Sequence, residues 1–158
     1  MINTIIAFFF HLFYSFLSLI FTIWFVSAGP TLGKFTTSFP ARVFFISLFI
    51  LGYVFLGMLL SSNKPRKYDL FYGVFIALVG LIIWTFAFFK ADMNIGVISK
   101  QYGEYWMLFN LFFSPFNLTY FFLDISVTPI LLLFTTVFPS MLMGIGIKLK
   151  RKLVHSTE

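Results

Sequence analysis

The stretch YWMLFNLFFSPFNLTYFFLD, residues 105–124, decides how this chain is read. It is long and apolar enough to enter a bilayer. Yet it carries Asn110, Ser114, Asn117 and Thr119, a proline at Pro115, and an acid at each edge, Glu104 and Asp124. Whether it crosses the membrane, lies on it or folds back into it sets the number of spans.

The composition around it leaves no doubt about the solvent. Of 158 residues, 60% are hydrophobic and 10% charged. A soluble domain has about 45–50% apolar and about 25% charged residues. The mean hydropathy is +0.99. So few charges cannot cover so much apolar surface in water, and the lipid bilayer is the expected environment. Four stretches meet the length of about 20 apolar residues that a spanning helix needs. They are about 2–28, 42–61, 69–89 and 127–147. The connectors GPTLGKFTTSFPA and SSNKPRKYD are short and rich in helix breakers. A single membrane domain follows. The first stretch is expected to be a retained helix and not a cleaved signal, because its apolar core far exceeds the usual 7–15 residues.

Charge places the ambiguous stretch. Cytoplasmic loops are enriched in Lys and Arg. Lys64, Arg66 and Lys67 lie in the second connector, and Lys148, Lys150, Arg151 and Lys152 open the tail, 148–158. Both clusters fall on one side only if residues 105–124 do not cross. The expected fold is therefore an all-α integral membrane protein of four transmembrane helices. Both termini are cytoplasmic, and an external, proline-broken segment over about 104–124 precedes the last helix.

Read as a helix, Asn110, Ser114, Asn117 and Asp124 share one narrow polar stripe. Pro115 has no N–H and breaks the ladder bond to residue 111. Two forms are compatible with this. One is an interfacial helix pair with its stripe facing water, which the aromatic content favours. The other is a re-entrant element lining a cavity, where protein or water satisfies the freed backbone groups.

Helix association in lipid depends on small and weakly polar residues. The first helix carries His11, Ser15, Ser18 and Thr22 on one face. The third carries Gly73, Ala77, Gly80 and Ala87, and the fourth Thr136, Ser140 and Gly144, with a kink expected at Pro139. The second has Ser47, Gly52 and Gly57, whose five-residue spacing does not define one face. Each row reads first as helix packing. The His11 row and the Asn110–Ser114–Asn117 stripe are the candidates for a polar lining. His11 is the ionisable residue well inside an expected span, and such residues invite a functional reading.

Catalysis has little to use. Asp92, Glu104 and Asp124 have no spacing that enforces a pair. No phosphate loop, metal-ligand spacing or nucleophile motif occurs, and no cofactor, metal or catalytic residue is expected. The absence of Cys excludes disulfides and thiolate chemistry. The net charge of +6 sits in clusters beside apolar runs, a pattern of topology and headgroup contact by Lys148, Lys150, Arg151 and Lys152, not of nucleic-acid binding. His155 in the tail is expected to be solvated. Abundant Phe and Ile suit an AT-rich bacterial genome, so the expected location is a bacterial cell membrane. The expected function is a non-catalytic partner of other membrane components, of accessory, regulatory, assembly or immunity type, in a hetero- or homo-oligomer. The alternative is a small oligomeric transporter or channel subunit.

Overall fold

The computed structural model describes residues 2–30, 33, 38–60 and 66–155. Lys64, residues 156–158 and the side chains of Arg66, Lys67 and His155 lie outside the described part. The described residues are mostly helical, with no strand among them. We number the helices α1 (Ile2–Ser27), α2 (Phe39–Leu59), α3 (Val74–Lys90), α4 (Met107–Phe112), α5 (Ser114–Leu123), α6 (Pro129–Thr135) and α7 (Phe138–His155). Three helical stretches, Ile2–Ser27, Phe39–Leu59 and Pro129–Val154, are long and apolar enough to cross a membrane. The third of these combines α6 and α7. Helix α3 is apolar but shorter, at 17 residues.

Local chemistry sets the boundaries. Pro40 lies in the first turn of α2, where its missing N–H costs nothing. Thr128 caps α6, its hydroxyl accepting from Leu131 N–H at 3.3 Å, and Pro129 follows in the first turn. Pro139 cannot bond back to Thr135, so α6 ends at Thr135 and α7 begins at Phe138, after two intervening residues. The Thr135 and Thr136 hydroxyls donate to the Leu131 and Leu133 carbonyls at 2.8 and 2.7 Å. The α-helix of the third stretch starts at Val74, later than residue 69. Residues Arg66–Phe71 form a 3-10 turn instead, which turns Asp69 inward. At the other end α7 continues through the basic tail to His155.

The stretch 105–124 is the centre of the bundle. Trp106, Phe109 and Phe113 are fully buried, and Ser114, Pro115, Phe116, Leu118, Thr119, Tyr120 and Phe122 are buried with them. Helices α4 and α5 pack against α1, α2 and α3. Most of the large exposed side chains, among them Phe9, Phe16, Phe44, Phe55, Ile82 and Phe86, lie on the other helices, although Met107, Leu108 and Phe121 of α4 and α5 are exposed as well. That inversion is expected where hydrocarbon is the solvent: burial there brings no hydrophobic gain, and packing geometry decides what lies inside.

Glycines set the closest approaches. A Cβ on Gly80 would come 2.5 Å from the Phe113 ring, so the bare backbone of α3 is the seat of that side chain. Gly73 lies on Ser140, and Gly144 on Leu70 and the Asp69 carbonyl. Helices α2 and α7 make the most extensive contact in the fold. It is centred on Gly57 against the Met143 backbone and Gly146 against the Val54 carbonyl. Gly52 faces Tyr14 of α1 instead, so the two α2 glycines serve two neighbours.

Candidate functional site

The joint between α4 and α5 lies opposite Ser15 and Ser18, about half-way along α1. Phe113 leaves helical geometry there, with φ −105° and ψ 30°. A broken helix exposes carbonyls, and in lipid these need partners. The Leu111 carbonyl is met by the Phe113 backbone N–H, and those of Asn110 and Phe112 by nearby side chains. The Asn117 amide Nδ2 donates to the Asn110 carbonyl at 2.8 Å and to Asn110 Oδ1 at 3.2 Å. The Ser15 hydroxyl donates to the Phe112 carbonyl at 2.6 Å. Ser114 Oγ donates to the Ser15 carbonyl at 2.7 Å, and Ser18 and Ser114 share a hydroxyl contact of 2.6 Å. Thr119 Oγ1 returns to the Pro115 carbonyl at 2.9 Å.

His11 stands one turn before Ser15 and is fully buried. Its Nδ1 is 2.8 Å from the Tyr53 hydroxyl, and its ring meets Phe112 edge-on at 4.5 Å. Nε2 has no hydrogen-bond partner among the described residues. Thr22, at the far end of the row, donates to the Ser18 carbonyl at 2.8 Å. Three members of the row, His11, Ser15 and Ser18, are thus buried and engaged with neighbouring helices.

The stripe divides. Ser114 is buried on α1, whereas Asn110 is exposed and Asn117 half-buried. Both amides line an apolar groove of about 580 Å³ between α1 and α4–α5. Thr22, Phe25 and Val26 form one wall, and Met107, Leu111 and Phe121 the other, with Glu104 at one end. The Asn117 nitrogen is engaged at the joint. Asn110 Nδ2 and Asn117 Oδ1 have no hydrogen-bond partner among the described residues. A second groove of about 600 Å³, between α1 and α2, is lined by Phe21, Phe44, Leu51 and Phe55 and is almost wholly apolar.

The remaining candidates fall in three places. Gly73, Gly80, Thr136, Ser140 and Gly144 are helix contacts, and Ala77 is half-buried beside Thr136 and Val137. Of the three acids Asp92, Glu104 and Asp124, Asp92 Oδ2 accepts from the Tyr102 hydroxyl at 2.7 Å, Glu104 lines the groove, and Asp124 ends α5 in the left-handed conformation. The Asp92 carboxylate, by accepting that bond, pushes the Tyr102 phenol up from its ordinary value, and partial burial adds to it. No cluster of three His, Asp or Glu exists among the described residues. In the tail, Lys150 Nζ donates to the Leu60 carbonyl at 2.8 Å, capping the end of α2, and Arg151 pairs with Asp69 at 2.9 Å.

Asp69 is the residue that the sequence reading passed over. It is fully buried, and its pairing draws the second connector and the tail together at one end of the bundle. The signal was present: one acid inside the basic run KPRKYD. A comparison with protein-family models, with curated proteins and with solved structures finds no match to this chain.

Proposed function

We propose that this chain is a non-catalytic partner protein of the bacterial cell membrane that receives one apolar helix of another membrane protein in the groove between α1 and α4–α5. In this reading α1, α2, α3 and the α6–α7 unit are four spans, both termini are cytoplasmic, and residues 105–124 are a proline-broken re-entrant element. The 17 residues of α3 reach about 26 Å, at the short end of what spans hydrocarbon. The meeting of the second connector and the tail at one end of the bundle supports an even number of crossings between them.

One observation carries the reading. The groove is apolar, yet a donor on Asn110 and an acceptor on Asn117 open into it unpartnered. An acyl chain cannot satisfy an amide, whereas a helix with a polar side chain at that depth can. The polar row that a transporter would use is spent on packing: His11, Ser15 and Ser18 are buried against Tyr53, Phe112 and Ser114. This favours the partner reading over a transport pathway through one chain.

The test is a photo-crosslinking residue at Leu111, in the groove, and at Phe9, on an open face. The Leu111 probe is expected to give a protein adduct of one mass, and the Phe9 probe only lipid. Asn110→Leu should reduce that adduct severalfold without altering expression. Lipid adducts alone at Leu111, or an adduct indifferent to Asn110→Leu, would remove the basis for the proposal.

A further inference from the structure

The charged end of α7 carries a second site, independent of the groove. A cavity of about 220 Å³ is lined by Asp69, Lys148, Arg151 and Lys152. Lys148 and Lys152 are exposed, four residues apart on one helix face, where like charges repel. Neither has an ion-pair or hydrogen-bond partner among the described residues. Arg151 is held on Asp69 Oδ1 at 2.9 Å. Asp69 Oδ2 is buried and has no hydrogen-bond partner among the described residues. The cavity thus presents three cations against one carboxylate, and that carboxylate has an acceptor still to fill.

We infer that this cavity binds the headgroup of an anionic phospholipid that also bears a hydroxyl donor, as a phosphoglycerol headgroup does. The phosphate oxygens accept from the Lys148 and Lys152 ammoniums and relieve their mutual repulsion. A headgroup hydroxyl donates to Asp69 Oδ2, which the phosphodiester itself cannot do because it carries no O–H and offers only acceptors to a carboxylate. The position suits a lipid. The cavity lies on the charged end of α7, near the cap of α2 at Leu60, and Lys150 is occupied with the Leu60 carbonyl and takes no part. This is more specific than a general attraction of basic residues to a charged leaflet, because it selects among lipids of equal charge.

The test is lipid retention by the full chain in mild detergent, read by native mass spectrometry. The probes are phosphatidylglycerol, phosphatidylethanol (the same phosphodiester charge without a hydroxyl) and phosphatidylcholine. Phosphatidylglycerol is expected to be retained on the order of tenfold better than phosphatidylcholine, and measurably better than phosphatidylethanol. Lys148→Gln with Lys152→Gln should bring it to the phosphatidylcholine level. Both lysines are exposed, so an unchanged melting temperature will show that the fold survives. Equal retention of phosphatidylglycerol and phosphatidylethanol overturns the hydroxyl assignment, and retention unaffected by the double substitution overturns the site. Displacement of the lipid by equimolar glycerol phosphate or inorganic phosphate overturns the lipid assignment in favour of a soluble anion.

Discussion

The α2–α7 crossing offers the sharpest test of the packing. Consider Gly146→Ala. In an open helix this change gains about 1 kcal/mol, because glycine is the poorer helix former. Here the added Cβ would overlap the Val54 carbonyl oxygen and lie 2.9 Å from Met58 N and 3.0 Å from Gly57 Cα. Ordinary contact begins at 3.4 Å, and the overlapping Val54 carbonyl sets the displacement, so the two helices must separate by on the order of an ångström. Every obstacle is backbone and none can rotate away. Overpacking of this kind costs about 1–3 kcal/mol, and the absence of any flexible neighbour puts the cost at the upper end. The clash outweighs the propensity gain, leaving a net loss of about 1–2 kcal/mol. In a chain of this length that is about 2–8 °C in melting temperature.

Gly52→Ala makes the contrast. Its Cβ would meet the Tyr14 hydroxyl, the far end of a side chain that can swing out. That forfeits the one hydroxyl proton shared between the Leu48 and Phe49 carbonyls at 3.1 and 3.3 Å, a single bifurcated bond worth about 0.6 kcal/mol in a membrane protein. The propensity gain cancels it, and Gly52→Ala should be near neutral. Thermal unfolding in mild detergent, followed by circular dichroism, reads both, with Ile145→Ala on the exposed face of α7 as control. If Gly146→Ala melts with the wild type, or Gly52→Ala falls by as much as Gly146→Ala, the backbone-to-backbone account of this crossing is wrong.

Four further outcomes follow from the same geometry. Ser114→Ala removes the hydroxyl joined to Ser15 and Ser18, and should cost about 1 kcal/mol at roughly 0.6 per bond, measured by SDS-driven unfolding. His11→Leu strands the Tyr53 hydroxyl in the core and should cost about 1–3 kcal/mol; adding Tyr53→Phe should recover part of the loss, and a purely additive pair would show that the 2.8 Å contact carries no energy. The raised Tyr102 phenol contributes stability that is complete below its ordinary value of 10.0 and is lost as pH rises through the folded value. Asp92→Asn should therefore lower its titration in tyrosine-labelled NMR spectra, and an unshifted curve would deny the hydrogen bond. Single cysteines at Glu104 and Asp124 should label from the same side of the membrane in this cysteine-free chain, and labelling from opposite sides would refute the four-span reading.

Much of the architecture was legible because lipid imposes simple rules on sequence. Apolar length located α1, α2 and the α6–α7 unit, since an unbroken apolar run of about 20 residues satisfies its backbone in lipid as a helix. Proline grammar marked Pro115 and Pro139 as places where a ladder bond is missing, and the α4–α5 and α6–α7 boundaries lie beside them. Small residues at helical spacing marked faces, and Gly73, Gly80, Ser140 and Gly144 all lie at close approaches. The side chains that complete the site were less legible. Asn117 reaching back seven residues to the Asn110 carbonyl, and Ser15 reaching Phe112 almost a hundred residues away, are partners no local pattern announces. Asp69 was hidden because a lone acid in a basic connector reads as solvated until another helix covers it.

By itself, then, the sequence pointed to an apolar solvent, a helical class and the breaks beside Pro115 and Pro139, because hydropathy and proline act within a turn or two of chain. Only the tertiary structure decided what residues 105–124 do. Their Phe-rich composition suits a membrane surface as well as a bundle interior, because both environments are apolar. The choice was made by complementary shapes and carbonyl partners on α1, α2 and α3: the bare backbone at Gly80 that seats Phe113, and the Ser15–Ser18 pair that receives Ser114. The same packing turned Ser114 inward and left Asn110 and Asn117 open to the groove.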